Sequence, residues 1–103
     1  MELIETSVFT RQVQATLTDE EYRALQLELV VRPGAGPVIP GSGGLRKLRW
    51  GLSGRGKRGG VRVIYYWRTA AGQLFLLFMY PKNVRSELSP MELRTLRKLV
   101  GDD

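Results

Sequence analysis

The chain has 103 residues, 43% hydrophobic and 25% charged, with 16 Lys and Arg against 10 Asp and Glu and a net charge of +6. That length builds one domain, 1–103, with a modest core. Cys and His are both absent, which excludes disulfides, thiol chemistry, the usual zinc ligands and the side chain that most often moves protons near neutral pH.

ELIET, at the start, alternates briefly and reads as a short edge strand. SVFTRQVQATL is weakly helical, with Val8, Phe9 and Val13 available to pack. TDEEYRALQLELVVRP predicts a clearer helix: Thr18 and Glu21 form a capping box, Asp19 and Glu20 suit the positive end of its dipole, and Pro33 stops it. Tyr22, Leu25 and Leu29 fall at helical spacing and are expected to face a sheet. GAGPVIPGSGG, residues 34–44, is rich in turn residues. Leu45 and Arg46 follow its last glycine, so it does not match the phosphate-binding G-x-x-x-x-G-K-[ST] pattern and reads as a plain linker.

Three strand-like runs follow, LRKLRWGL, GVRVIYYWR and QLFLLFMY. The register of the first is ambiguous. In the second, Val61, Val63, Tyr65 and Trp67 share one face, and Arg62, Ile64, Tyr66 and Arg68 the other. The third is apolar throughout, as expected of a strand covered on both sides, and TAAGQ joins the last two into a hairpin. In SPMELRTLRKLVGDD, Ser89, Pro90 and Glu92 start a final helix, Leu93, Leu96 and Val100 form its apolar stripe, and Gly101 ends it. The order β-α-α-β-β-β-α predicts an α+β domain: a twisted, antiparallel-rich sheet with two N-terminal helices and a C-terminal one. The longest apolar runs are too short to span a bilayer, and the acidic start lacks the features of a secretory signal. A cytoplasmic protein without membrane contact is expected.

Charge is segregated. No acidic residue occurs between Glu28 and Glu87, and residues 29–86 hold eleven of the sixteen cations. A surface built for solubility mixes both signs, so this field points to a polyanion such as nucleic acid. Arg62 is the most informative position, because a strand fixes where its guanidinium points and two parallel hydrogen bonds then hold a phosphate. Lys82 and Asn83 follow the last strand, with Tyr80 before them, and Arg49, Lys57 and Arg58 are placed to close the same concavity. Tyr65, Tyr66 and Trp67 are candidates for base stacking, although their alternation in an apolar strand favours core.

GGLRKLRW, then GKRGGVRVIYYW, then LFLLFMYPKNVRSEL before the last helix resembles the RelE superfamily of bacterial toxins, and within it the HigB-like branch. The resemblance implies an endoribonuclease that cuts messenger RNA in the ribosomal A site and is held inactive by a cognate antitoxin, of the HigA-like helix-turn-helix kind. It implies helices on one side of the sheet and RNA on the other. Arg62 would then support the reacting phosphate, with Lys47 or Arg49, and Lys82, lining the cleft. Arg55, Lys57 and Arg58 would contact RNA from the basic loop, and Asn83 and Arg85 from the end of the last strand. Many relatives have an arginine where Asn83 stands and a tyrosine near Ser89, so the general base stays open between Lys57 and Lys82, with Tyr80 third. A lysine among cations is expected to lose its proton more readily. No cofactor and no metal is expected. A non-enzymatic RNA- or DNA-binding module, or a ParE-like toxin acting on gyrase, would share the basic field.

Overall fold

A hydroxyl side chain starts each of the three helices. In the computed structural model, which describes residues 1–52, 60–85 and 87–101, Thr6 accepts from the Phe9 N–H at 3.0 Å and opens α1 (Ser7–Thr16). Thr18 and Glu21 form the expected capping box of α2 (Asp19–Val31), at 3.1 and 2.8 Å. Ser89 and Glu92 do the same for α3 (Pro90–Leu99), again at 3.1 and 2.8 Å. Each box satisfies backbone donors that a helix start leaves open.

The strands β1 (Glu2–Glu5), β2 (Arg46–Trp50), β3 (Val61–Arg68) and β4 (Gln73–Pro81) lie in the order β1-β4-β3-β2. β2 with β3 and β3 with β4 are antiparallel, whereas β1 runs parallel to β4. The sheet is therefore mixed, because the first strand enters beside the last and in its direction. β3 and β4 are joined by a 3-10 turn at Thr69–Ala71, closed by Gly72 in the left-handed region at φ 63°.

Both faces of the sheet are covered. On one, Phe9, Val13, Leu25 and Leu29 of the first two helices pack on Leu48, Val61, Val63, Tyr65, Leu74, Leu76 and Met79. On the other, Leu96 and Val100 pack on Leu45, Ile64, Tyr66, Leu77 and Tyr80, with Leu93 against them. The expectation of helices on one side only is thus corrected: α3 carries an apolar stripe that needs a sheet face, and it takes the second. Covering both faces explains why β4 is apolar throughout.

Residues 34–44 do more than link. Val38 bridges to Arg46, the Ile39 N–H donates to the Leu45 carbonyl at 2.8 Å, and the Lys47 N–H donates to the Pro37 carbonyl at 3.1 Å. The segment thereby satisfies the outer edge of β2. Gly36 lies so close to that strand that an added Cβ would stand 2.9 Å from the Lys47 carbonyl, and its N–H donates to the Tyr65 hydroxyl at 2.9 Å.

β4 carries one irregularity. Ile64 pairs with Phe78 but Tyr65 pairs with Leu76, so Leu77 is an extra residue, a β-bulge. The Thr6 hydroxyl donates to the Leu77 carbonyl at 2.9 Å while capping α1, and Gln12 accepts from the Met79 N–H at 2.7 Å. Helix α1 thus takes over the edge of β4 beyond the end of β1. Replacing Thr6 by Val, which keeps the shape and removes both bonds, is expected to cost about 1–2 kcal/mol, read as a lower urea midpoint. Thr6→Ser retains the hydroxyl and should restore most of it.

Candidate functional site

The strand register decides which cations share a surface. Arg49 of β2 is directly opposite Arg62 of β3, and Arg62 is directly opposite Tyr80 of β4. Lys47 is opposite Ile64, one row further along the same face. Residues opposite one another project to the same side, with Cβ atoms about 4.5–5.5 Å apart. Lys47, Arg49, Arg62 and Tyr80 therefore form one row-built patch on the α3 side, with the buried Tyr80 at its boundary with α3. Tyr80 reaches this face only because of the bulge: counted without it, Tyr80 would follow Leu74 and Leu76 towards α1 and α2. Lys82 joins the patch at its end. Its N–H donates to the Gly60 carbonyl at 3.1 Å, and its Cδ lies 3.8 Å from where a Gly60 Cβ would stand.

The structure sorts the cations of the basic segment by what they touch. Arg46 donates to the Gly36 carbonyl at 2.8 Å and lies 5.9 Å over Trp67. Arg68 donates to the Val100 carbonyl and sits 4.9 Å over Phe75, which ties α3 to the sheet. Arg32 pairs with Glu28 at 3.4 Å. Arg85 donates through both terminal nitrogens to Glu92 and through Nε to the Glu87 carbonyl at 3.2 Å. Arg32 and Arg85 find carboxylates outside the cation-only segment, Glu28 just before it and Glu92 in α3. Arg85 holds the start of α3, and all three of its guanidinium nitrogens already donate to the protein. By contrast the side chains of Lys47, Arg49, Arg62 and Lys82 make no hydrogen bond or ion pair among the described residues, and Arg62 Nε is buried without an acceptor.

Beside this patch opens a cleft of about 420 Å³. Lys47, Ile64 and Tyr80 line it from the sheet, Pro37 to Pro40 from one flank, and Glu87, Leu88, Pro90 and Leu93 from the other. Burial pushes the Tyr80 phenol above its ordinary value, against the opposing pull of Arg62 and Arg85. Tyr80 consequently keeps its proton at neutral pH.

The aromatic candidates for stacking are structural. Tyr65 is fully buried and donates to the Pro33 carbonyl at 2.7 Å, and Tyr66 lies under Arg97, 4.6 Å from the ring centroid. Trp67 is occupied by Arg46. Asn83 is exposed directly after Lys82. Arg55, Lys57 and Arg58 lie outside the described residues. Glu87 escaped the sequence reading, which searched for cations. The one signal for it was its position as the first carboxylate after the cation-only segment.

The family model for the RelE toxin of the RelE / RelB toxin-antitoxin system matches residues 40–102. Among solved structures, a double-arginine mutant of the E. coli toxin RelE in the free state aligns over 94% of this chain and 96% of its own, with a TM-score of 0.64 at 13% identity, a likeness of fold. Among the described residues no helix is long and apolar enough to cross a membrane.

The Arg85 guanidinium, helped by the Ser89 N–H, holds the Glu92 carboxyl down at about 2, against about 4.5 unfolded. A carboxyl depressed on folding stabilises the protein above its unfolded value, and that contribution is lost as pH falls from about 4.5 towards 2. Urea midpoints taken across this window should fall with acidity in the wild type. Glu92→Gln should be less stable at pH 7 and show a flatter profile below pH 4.5.

Proposed function

The chain belongs to the RelE family of toxins of toxin–antitoxin systems, and from that premise we propose that it is an endoribonuclease of the HigB-like branch that cuts messenger RNA in the ribosomal A site. The observation that carries this reading is the Arg49–Arg62 pair. Two guanidinium-bearing residues directly opposite one another are unfavourable as they stand, and the donor left buried on Arg62 adds about 1–3 kcal/mol to that cost. A fold that keeps such an arrangement is prepared for an anion, and Lys47 and Lys82 extend the same field along a strand of phosphates.

The chemistry suits these residue types. RNA carries its own nucleophile, the 2′-hydroxyl, which attacks the adjacent phosphate and leaves a 2′,3′-cyclic phosphate. What the protein supplies is alignment and donors for the added negative charge. Arg62, held by a central strand, is preorganised for that charge, and removal of one such donor typically costs about 10²–10³ in rate. Arg49 and Lys47 hold the phosphate in line, with Lys82 and Asn83 on the neighbouring one. Arg55, Lys57 and Arg58 add contacts to the RNA. The reaction needs no metal in this reading, and among the described residues no three acidic side chains converge to hold one.

An unpartnered cationic face would bind RNA continuously, so the cognate antitoxin covers it. The HigA-like, helix-turn-helix kind is the partner proposed. Co-expression with the product of the adjacent gene should give a stable complex in which ribosome binding is lost. A toxin that remains free and toxic beside that product would break the assignment.

Arg62→Ala should abolish mRNA cleavage on translating ribosomes while leaving ribosome affinity largely intact, because its interaction is strongest with charge that appears only in the transition state. Primer extension beside a ribosome-binding assay reads both, in EDTA low enough to leave ribosomes whole. Cleavage by Arg62→Ala at the wild-type rate would remove Arg62 from the reaction. Binding without cleavage by the wild type would make the protein a non-enzymatic RNA binder.

A further inference from the structure

Resting on the endoribonuclease reading, we propose that Glu87 takes the proton from the attacking 2′-hydroxyl and that Tyr80 supplies the proton to the departing 5′-oxygen. The two side chains line the same cleft, and Tyr80 belongs as well to the row that pairs Arg49, Arg62 and Tyr80 across the sheet. Rows on one face of a strand are about 7 Å apart, so a nucleotide whose phosphate rests on Arg62 has its ribose at the mouth of this cleft. Among the described residues Glu87 is the one carboxylate in the lining.

Its surroundings set it apart from the neighbouring acid. Glu92 is consumed by Arg85 and by the cap of α3. The Glu87 carboxylate makes no hydrogen bond or ion pair among the described residues, although its own backbone is pinned. Arg85 Nε holds the Glu87 carbonyl at 3.2 Å while the rest of the fork grips Glu92, so α3 and Glu87 are placed by one guanidinium. Arg62 and Glu87 both act on the Tyr80 phenol, with opposite sign, which puts each of them within electrostatic reach of that group. A free carboxylate facing unpartnered cations has the form of a base beside a charge-stabilising site.

The step balances without a further reactant. The 2′-O–H proton passes to the Glu87 carboxylate as the O2′–P bond forms, Arg62 and Arg49 stabilise the phosphorane, and the P–O5′ bond breaks as Tyr80 protonates O5′. Burial keeps the Tyr80 proton available, and Arg62 and Arg85 stabilise the phenolate left behind. In general a carboxylate is ready to accept a proton at neutral pH, whereas an ammonium group must first give one up. Among the described residues, Lys47 of β2 and Tyr80 of β4 share the cleft with Glu87, Arg85 holds its carbonyl, and Arg62 of β3 and Glu92 of α3 act with it on the Tyr80 phenol.

The test is single-turnover cleavage on programmed ribosomes for the wild type, Glu87→Gln, Glu87→Asp and Tyr80→Phe. Each is assayed on ordinary mRNA and on mRNA with a bridging 5′-sulfur at the scissile phosphate, a leaving group that departs without a proton. Glu87→Gln should lose about 10²–10⁴ in rate, keep ribosome affinity, lack the acidic limb of the pH–rate profile and gain nothing from sulfur. Glu87→Asp should recover part of the rate, and Tyr80→Phe should be restored by sulfur. The assignment of Glu87 is overturned if Glu87→Gln cuts as well as wild type, loses ribosome binding, or is rescued by sulfur. Tyr80 is removed if sulfur does not restore Tyr80→Phe. A wild type that binds ribosomes and leaves the mRNA whole overturns the endoribonuclease reading, and this proposal with it.

Discussion

The candidate site depends on the phase of β4. Side chains alternate along a strand with period two, so one inserted residue exchanges the faces of everything beyond it. Leu77 is that residue. Up to Leu76 the strand sends alternate leucines into the core beneath α1 and α2, and beyond the bulge Met79 continues in that core while Tyr80 turns to the other face. The cost of a bulge is an interrupted ladder, and here Thr6 and Gln12 make good the missing bonds. Helix α1 packs on the opposite face of the sheet from this patch, yet it holds in place the irregularity that sets Tyr80 beside Arg62.

The second organising fact is how charge is divided. Most protein arginines are satisfied by carbonyls, carboxylates and rings, and Arg46, Arg68, Arg85 and Arg97 follow that rule. These four fasten the 34–44 segment and α3 to the sheet. The cations left over are adjacent by strand pairing, and the sheet cannot relax them apart without losing its register. Arginines that hold the fold together are thus told apart by their partners from those left without one among the described residues, a distinction that net charge hides.

Helix α3 joins the two themes. It covers half of the second sheet face, ends the cleft, and begins at a capping box whose glutamate is also the partner of Arg85. The same contact that stabilises the helix start sets the backbone of Glu87. Stability and the placement of the candidate site are therefore linked through one ion pair, half-exposed and sensitive to pH.

Much of this was legible in the order of residues. Capping boxes at Thr18 and Ser89, the stop at Pro33, the two faces of β3 and the apolar β4 follow from local rules, because helix starts and strand alternation are governed by neighbours a few positions away. The cation-only stretch and the position of Arg62 within a strand are legible in the same way. The sequence by itself therefore determined the elements, the fold class and the basic field. Only the tertiary structure decided the parallel entry of β1, the face taken by α3, the bulge at Leu77, the capture of Arg85 by Glu92 and the approach of Glu87 to Tyr80. Each of these is a pairing or packing between residues distant in the chain or a shift of register by one. Local pattern is blind to both, since it records which side chains share a face and not which faces meet.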